Sequence, residues 1–375
     1  MRVAILGAGP AGLYLAYLIK RRDASAEVRV FEQNSADATF GFGVVFSDRA
    51  LEFLNEDDPE TFAVVAPHLE SWTDITVVHR GERVRIDGVG FAAIGRLDLL
   101  QLLQARVRSV GVEPTFRHPV ADLRELGDAD LIVGADGVNS LVRRTHQAAF
   151  GATTTHLTNR FAWFGTSKPF ETLTQTFRRT ELGDFNAHHY RYAPAMSTFL
   201  VEVTETAFTR AGFDRMSETE SAVVCARVFA DELGGRPLVS NNSVWRRFPI
   251  VRNARWWHGR HVLIGDALHT AHFSIGSGTR LAMEDAIALD RALAAHPADM
   301  PAALAAFETA RRPIVEKLVA AANASGAWYE KFADYMALEP LAFAMSYLTR
   351  SGRIAPERLR QSSPQFAARY ARRMD

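Results

Sequence analysis

Apolar positions along the first forty residues alternate between two periods. Val3 to Leu6 is a short uninterrupted apolar run, which reads as a buried strand. Pro10 to Arg22 carries Leu13, Ala16, Tyr17 and the stem of Lys20 at helical spacing, and Val28 to Glu32 reads as a second strand. Together they predict one βαβ unit. Arg96 to Val110 repeats the helical pattern through Leu97, Leu100, Leu103 and Val107, and Leu131 to Gly134 is another fully apolar strand. From about Thr155 to Arg255 the texture changes to alternating runs such as HHYRYAPAMSTFLVEVT, which predict an antiparallel sheet with a helix near Glu218 to Leu233. The first texture then returns, with a strand at His261 to Ile264 and a long helix from Gly278 through Met283, Ala286, Ile287 and Leu293. Beyond Met300 the pattern is helical, with Pro313, Pro340 and Pro356 expected to start or break helices.

This order predicts an α/β fold in which the first domain is discontinuous. Residues 1–74, 96–154 and 256–325 form a nucleotide-binding domain, 75–95 and 155–255 a substrate domain, and 326–375 a C-terminal helical segment. At 375 residues the chain exceeds the size at which one core stops growing, so two intertwined domains or one large domain with an inserted subdomain are expected. With 47% hydrophobic residues, 23% charged and a net charge of zero, nothing argues for nucleic acid or membrane. The doubled arginines, spread among acidic residues, read as solvated faces. Cys225 is the single cysteine, which excludes an internal disulfide and a cysteine-pair zinc site. The start of the chain lacks the ordering of a secretory signal and no stretch approaches a membrane span, so a cytoplasmic location is expected.

Three motifs carry chemistry. Gly7-Ala8-Gly9-Pro10-Ala11-Gly12 lies between a strand and a helix, with Glu32 ending the next strand. In such a turn Gly7 permits the bend, Gly9 lets backbone approach a pyrophosphate, Gly12 lets helix and strand close up, and Glu32 accepts from a ribose. The motif alone does not separate FAD from NAD. Gly265-Asp266-Ala267 follows a strand, and Gly276-Ser277-Gly278 opens a helix whose N–H groups would face a group gaining negative charge. A carboxylate at Asp266 can bind a polyol chain, which favours FAD, although an Asp there can also cap its own loop. The third motif is Gly134-Ala135-Asp136-Gly137-Val138-Asn139-Ser140.

GAGPAG, GADG and GDA in this order resemble the single-component FAD-dependent aromatic hydroxylases, the group of para-hydroxybenzoate hydroxylase, over essentially residues 1 to 325. The resemblance implies a Rossmann-like FAD-binding domain of that type, with an inserted, mainly antiparallel substrate sheet and C-terminal helices. It implies Asp136 and Gly137 serving FAD and a transient NADH or NADPH, Asp266 the ribityl chain, and Arg96 the FAD phosphates or ribityl. It further implies oxygen transfer from O2 through a flavin hydroperoxide. GFGVVFSD (Gly41 to Asp48), FAWFGTSKPF, MSTFLVE and HFSIGSGT look like the salicylyl-CoA 5-hydroxylases and anthraniloyl-CoA monooxygenases, with a violacein-pathway hydroxylase more distant. The anthraniloyl enzymes carry an extra reductase domain, and a chain ending at Asp375 favours the salicylyl type.

The expected substrate is therefore a small aromatic CoA thioester, salicylyl-CoA hydroxylated at position 5 to gentisyl-CoA. A free aromatic or indole-derived substrate, or a non-oxygenase FAD-dependent reductase, are the alternatives. His272-Phe273 stands where many family members have two prolines. His272, with a pKa near neutrality, is expected either to accept or relay the phenol proton or to be held by backbone and only shape the loop. His188, which shares one strand face with Tyr190, is a second candidate, and His269 reads as structural. The arginines at 178, 179, 246, 247, 252 and 255 are available to CoA phosphates.

Overall fold

The computed structural model describes residues 1–47, 51–354 and 356–374, and Asp48, the last residue of the GFGVVFSD segment, lies outside them. The expected βαβ unit is Arg2–Leu6, Pro10–Arg22 and Glu27–Phe31. Arg2–Leu6 pairs in parallel with Glu27–Phe31 on one side and Leu131–Gly134 on the other, and His261–Leu263 adds in parallel beyond Leu131–Gly134. A short antiparallel strand, Trp257–His258, closes that edge. Helices Pro10–Arg22, Arg96–Ser109 and Gly278–Ala295 cover this nucleotide sheet, burying Leu13, Leu15, Ile19, Leu103, Leu281 and Leu289 with the strand residues Val3, Ile5 and Val133. Parallel strands covered on both faces are apolar at every position, which is why these runs show no alternation.

The alternating region forms a second, larger sheet. Ala152–Thr166, Met196–Val203, Gly183–Ala193 and Leu173–Thr180 pair antiparallel in that spatial order, and Ile75–His79 with Glu82–Ile86 extends the far edge. Arg246–Asn253 pairs with Ala152–Thr166 at the near edge. One face buries Phe164, Phe185, Phe199 and Val201 under helices Glu205–Ala211 and Glu218–Val228, the second of which adds Phe229 from its C-terminal end. Part of the other is covered by the C-terminal helices through Phe177, Trp328, Tyr329, Phe332, Phe343 and Tyr347. A small sheet of Gly43–Ser47, Phe91–Gly95 and Glu70–Trp72 lies at the junction.

Two expectations need correction. Pro313 neither starts nor breaks a helix: Met300–Tyr329 runs through it for 30 residues. An interior proline costs roughly 3 kcal/mol, and burial of the apolar side chains Leu304, Phe307 and Val315 on either side offsets that. Nor are the doubled arginines all solvated. Arg143 and Arg311 are buried, the first donating to the carbonyl oxygens of Ala267 and Val138, the second to Asp285.

Candidate active site

The glycine turn is shaped by steric need. Gly7 has φ of +100°, and a Cβ there would lie 2.3 Å from the carbonyl oxygen of Ala135, while one on Gly12 would lie 2.0 Å from that of Gly7. A Cβ on Gly9 would meet nothing within 4 Å, and Gly9 lines a cavity of about 1460 Å3. The turn is tied to the second strand: Gly7 donates to the carbonyl oxygen of Phe31 (2.7 Å) and Ala8 to Glu32 Oε2 (3.0 Å). Glu32 Oε1 accepts from the backbone and side-chain amide of Asn34. Pro10 and Ala11, at the N-terminus of the Pro10–Arg22 helix, also line the cavity, so helix dipole and strand-end carboxylate face the same space.

From that turn the cavity runs past Arg96, Asp136, Gly137, Asp266, Gly276, Ser277 and Gly278 to an aromatic wall of Phe161, Trp163, Tyr190, Phe248 and Phe273. Every cofactor-binding residue expected from the three motifs, apart from Gly12 packed behind the turn, is on its lining. Asp136 accepts from Leu141 N (2.6 Å) through Oδ2, its Oδ1 is buried without a partner, and burial raises its pKa. Arg96 has a buried, unpartnered Nε and stands 5.2 Å over the Trp163 ring. Asp266 opens onto the cavity, yet its depth in the protein raises its pKa against the opposing pull of His269 and Arg96. The Gly278–Ala295 helix starts without a side-chain cap, and Gly276 holds φ of +61° just before it.

Behind Asp266 lies a buried network that sequence reading reached only through His269. Asp285 accepts from Gly265 N (3.0 Å), His269 Nε2 (2.8 Å) and Arg311 Nε (2.8 Å). Burial alone would raise the Asp285 pKa, and the His269 and Arg311 partners outweigh it, holding it below the usual carboxylate value. The network fixes the GDA loop from below, as the local sequence around Gly265 alone could not reveal.

The two candidate histidines part ways. His272 is 1% exposed, does not line the cavity, and caps Phe273–Ile275 by accepting from Ser274 N. Its Nδ1 lies 2.8 Å from Ser274 Oγ, which meets Ser325 Oγ at 2.7 Å, and Arg350 Nε donates to Ser325 Oγ. Burial, with Arg350 nearby, pushes its pKa down to about 3. The near-neutral value expected from the sequence is thus corrected: a desolvated imidazole beside a guanidinium stays uncharged. Phe273, its neighbour, reaches the cavity instead. His188 does line the cavity, and its Nε2 is buried without a partner. Its pKa also falls to about 3 through burial and then Arg350, so it is a neutral hydrogen-bonding group there. Sequence reading missed the wall residues Phe161, Trp163 and Phe248. The alternation that placed them in strands carried the signal, since Phe161 and Trp163 share a face.

The donor set fits a dinucleotide with a long polar linker. The glycine cradle approaches phosphates, while Arg96 and Asp136 bring buried polar atoms that find no partner in the protein.

Comparison with known proteins agrees. The family described as "FAD binding domain" matches residues 101–322, and "NAD(P)-binding Rossmann-like domain" matches residues 5–38. A salicyloyl-CoA 5-hydroxylase of Streptomyces sp is 43% identical over 361 residues, 94% of this chain and 70% of that protein. A 3-hydroxy-4-methyl-anthranilyl-[aryl-carrier protein] 5-monooxygenase of Streptosporangium sibiricum is 37% identical over 355 residues, 95% of each. Among solved structures, 2-methyl-3-hydroxypyridine-5-carboxylic acid oxygenase superposes with a TM-score of 0.73 at 19% identity, covering 93% of this chain and 95% of that one, and shares the fold.

Proposed function

The chain belongs to the FAD-binding family of aromatic hydroxylases and is an FAD- and NAD(P)H-dependent aromatic monooxygenase, and from that premise we propose that its substrate is an aromatic acyl thioester, salicyloyl-CoA in the first instance, hydroxylated para to its hydroxyl group. The observation that carries this reading is the single cavity leading from the Gly7–Gly12 turn to the wall of Phe161, Trp163, His188, Tyr190, Phe248 and Phe273. Two relatives above 35% identity support the substrate class: by name, each acts on an aromatic acyl group joined to coenzyme A or to a carrier protein. No helix among the described residues is long and apolar enough to cross a membrane.

Bound FAD, reduced by NAD(P)H, supplies the activated oxygen. Gly7, Gly9, Pro10 and Ala11 would hold its pyrophosphate at the helix N-terminus, with Gly12 letting the helix close on the turn behind them, and Glu32 would hold its adenosine ribose. Arg96, Asp136, Gly137 and Asp266 would hold the remaining phosphate, ribityl and ring-edge contacts, with the N–H groups from Gly276 to Gly278 meeting negative charge. The aromatic side chains would exclude water and sandwich the substrate ring. His188, neutral and without a partner at Nε2, would orient the phenol by a hydrogen bond at its imidazole, strengthening the electron release that the thioester opposes. His272 would set the shape of the wall by holding Phe273.

The test is NAD(P)H oxidation by FAD-loaded protein with salicyloyl-CoA, free salicylate and an indole substrate side by side. The thioester should stimulate oxidation well beyond the other two. Stimulation by the free acid or the indole alone removes the thioester assignment, and oxidation without oxygen uptake removes the oxygenase.

A further inference from the structure

The cavity opens to solvent along a rim built by two segments of chain that are far apart in sequence. Residues 39–42 meet residues 241–245, where Gly41 N donates to the Asn241 carbonyl oxygen (3.3 Å) and Asn241 Nδ2 returns a bond to the Gly41 carbonyl (2.8 Å). Ser243 fastens the second segment from behind, donating through Oγ to the Trp163 carbonyl (2.5 Å) and through N to Glu218 Oε2 (2.8 Å). On this fixed lip two large apolar side chains are open to solvent, Phe40 at 48% and Val244 at 52%, and both line the cavity. Together they offer a ligand entering the cavity an apolar surface to lie against.

Arg246 stands beside them, exposed, with its guanidinium carbon 5.3 Å from the centre of the Phe40 ring. The six arginines available to a phosphate now separate. Arg178 is paired with Glu232, Arg179 with Asp184, and Arg247 with Glu205, which Arg160 shares. Arg252 and Arg255 do not line the cavity. Arg246 does, and it has no carboxylate in ion-pair range among the described residues. Its strand leads inward: Phe248, two residues on and roughly 7 Å along an extended chain, packs against Phe161 and Phe273 in the aromatic wall. A ligand whose ring lies in that wall and whose tail leaves along this strand therefore meets apolar surface first and a free cation last.

We propose that Phe40, Val244 and Arg246 form an outer subsite for a phosphopantetheine arm, with the apolar lip against its dimethyl and amide portion and the Arg246 guanidinium on its phosphate. The proposal rests on the thioester reading above. It names the chemistry shared by coenzyme A and a carrier protein's prosthetic arm, since both join an acyl thioester to a phosphate through pantetheine.

The experiment compares wild type with Arg246→Glu and Arg246→Lys on four thioesters of the same aromatic acid: those of N-acetylcysteamine, 4′-phosphopantetheine, coenzyme A and a carrier protein. Arg246→Glu should lower kcat/KM roughly tenfold through KM on the three phosphate-bearing thioesters, because attraction becomes repulsion. The phosphate-free N-acetylcysteamine thioester should be unaffected. Arg246→Lys should recover most of the loss, and the wild-type advantage should shrink as salt is raised. An equal loss on the N-acetylcysteamine thioester, no loss on the others, or a loss confined to coenzyme A overturns the assignment to the arm phosphate. Carrier-protein thioester and coenzyme A thioester responding alike supports the shared arm, and their absolute rates tell which source the enzyme prefers. Failure of the thioester reading itself would look different: no thioester would be hydroxylated by wild type, while a free acid would be.

Discussion

Asp285 is the residue on which the GDA loop rests. It takes three donors with no water between them, and Arg311 has its charge buried against it. Asp285→Ala should destabilise the fold by about 2–3 kcal/mol, because it leaves the Gly265 N–H and His269 without their acceptor and takes from the buried guanidinium one of its two carboxylates, the other being Glu284 at 2.8 Å. A urea titration reads this, and a loss under about 1 kcal/mol would show the network to be dispensable. Glu202 makes the opposite kind of prediction. It is 2% exposed, with Asn159 Nδ2 on one oxygen and nothing on the other, and burial pushes its pKa up to about 8 from an ordinary 4.5. Between these values the folded chain holds one proton more than the unfolded chain, so stability falls as pH rises through that window, by up to a few kcal/mol. Glu202→Gln should flatten that fall, as measured by urea midpoints at about pH 5 and about pH 8. Identical slopes in variant and wild type would place Glu202 outside the pH response. Neither residue was legible as such. Glu202 sits in a strand like any alternating polar position, and only the C-terminal helices, through Tyr329, turn that position into an interior one.

At the scale of elements, the glycine turn was legible because its demands are local. Strand, turn and helix are contiguous: Gly12 answers a contact with Gly7 inside the unit, Gly7 answers one with Ala135 at the end of the adjacent strand, and Gly9 faces the open cavity. The structure separates their roles. Gly12→Ala forces a Cβ onto the Gly7 carbonyl and should open the turn, yielding protein without flavin absorbance and with a lowered melting temperature. Gly9→Ala meets no protein atom and should leave the melting temperature of the FAD-free protein unchanged while weakening FAD binding by about tenfold or more, through crowding of the pyrophosphate. Equal FAD affinity in Gly9→Ala and wild type would mean that the backbone does not approach the cofactor there. The Met300–Tyr329 helix was misread at Pro313 for the complementary reason: local propensity argued for a break, and long-range packing on both sides of the proline kept the helix whole. The small junction sheet of Gly43–Ser47, Phe91–Gly95 and Glu70–Trp72 was not foreseen, because three short strands joined across long intervals leave no periodic signal.

For the whole molecule, function follows from where two sheets meet. The parallel nucleotide sheet presents its glycine turn and the Gly265 loop at one end of the cavity, and the antiparallel substrate sheet presents its aromatic face at the other. Motif order made the first half readable. The second half needed the register of Ala152–Thr166, Gly183–Ala193 and Met196–Val203, which sets Trp163, His188 and Leu200 abreast across three strands. With a formal net charge of zero, the chain has no net attraction for an anionic thioester, so recognition falls to the local rim and wall. On the proposed reading, this wall holds an aromatic thioester for oxygen insertion. The most direct measurement supplies the FAD-loaded enzyme with NAD(P)H, salicyloyl-CoA and isotopically heavy dioxygen, and determines the mass and ring position of the label. One heavy oxygen atom on the ring carbon para to the hydroxyl, with the thioester intact, is the predicted result; NAD(P)H consumed with no label in the ring would contradict it.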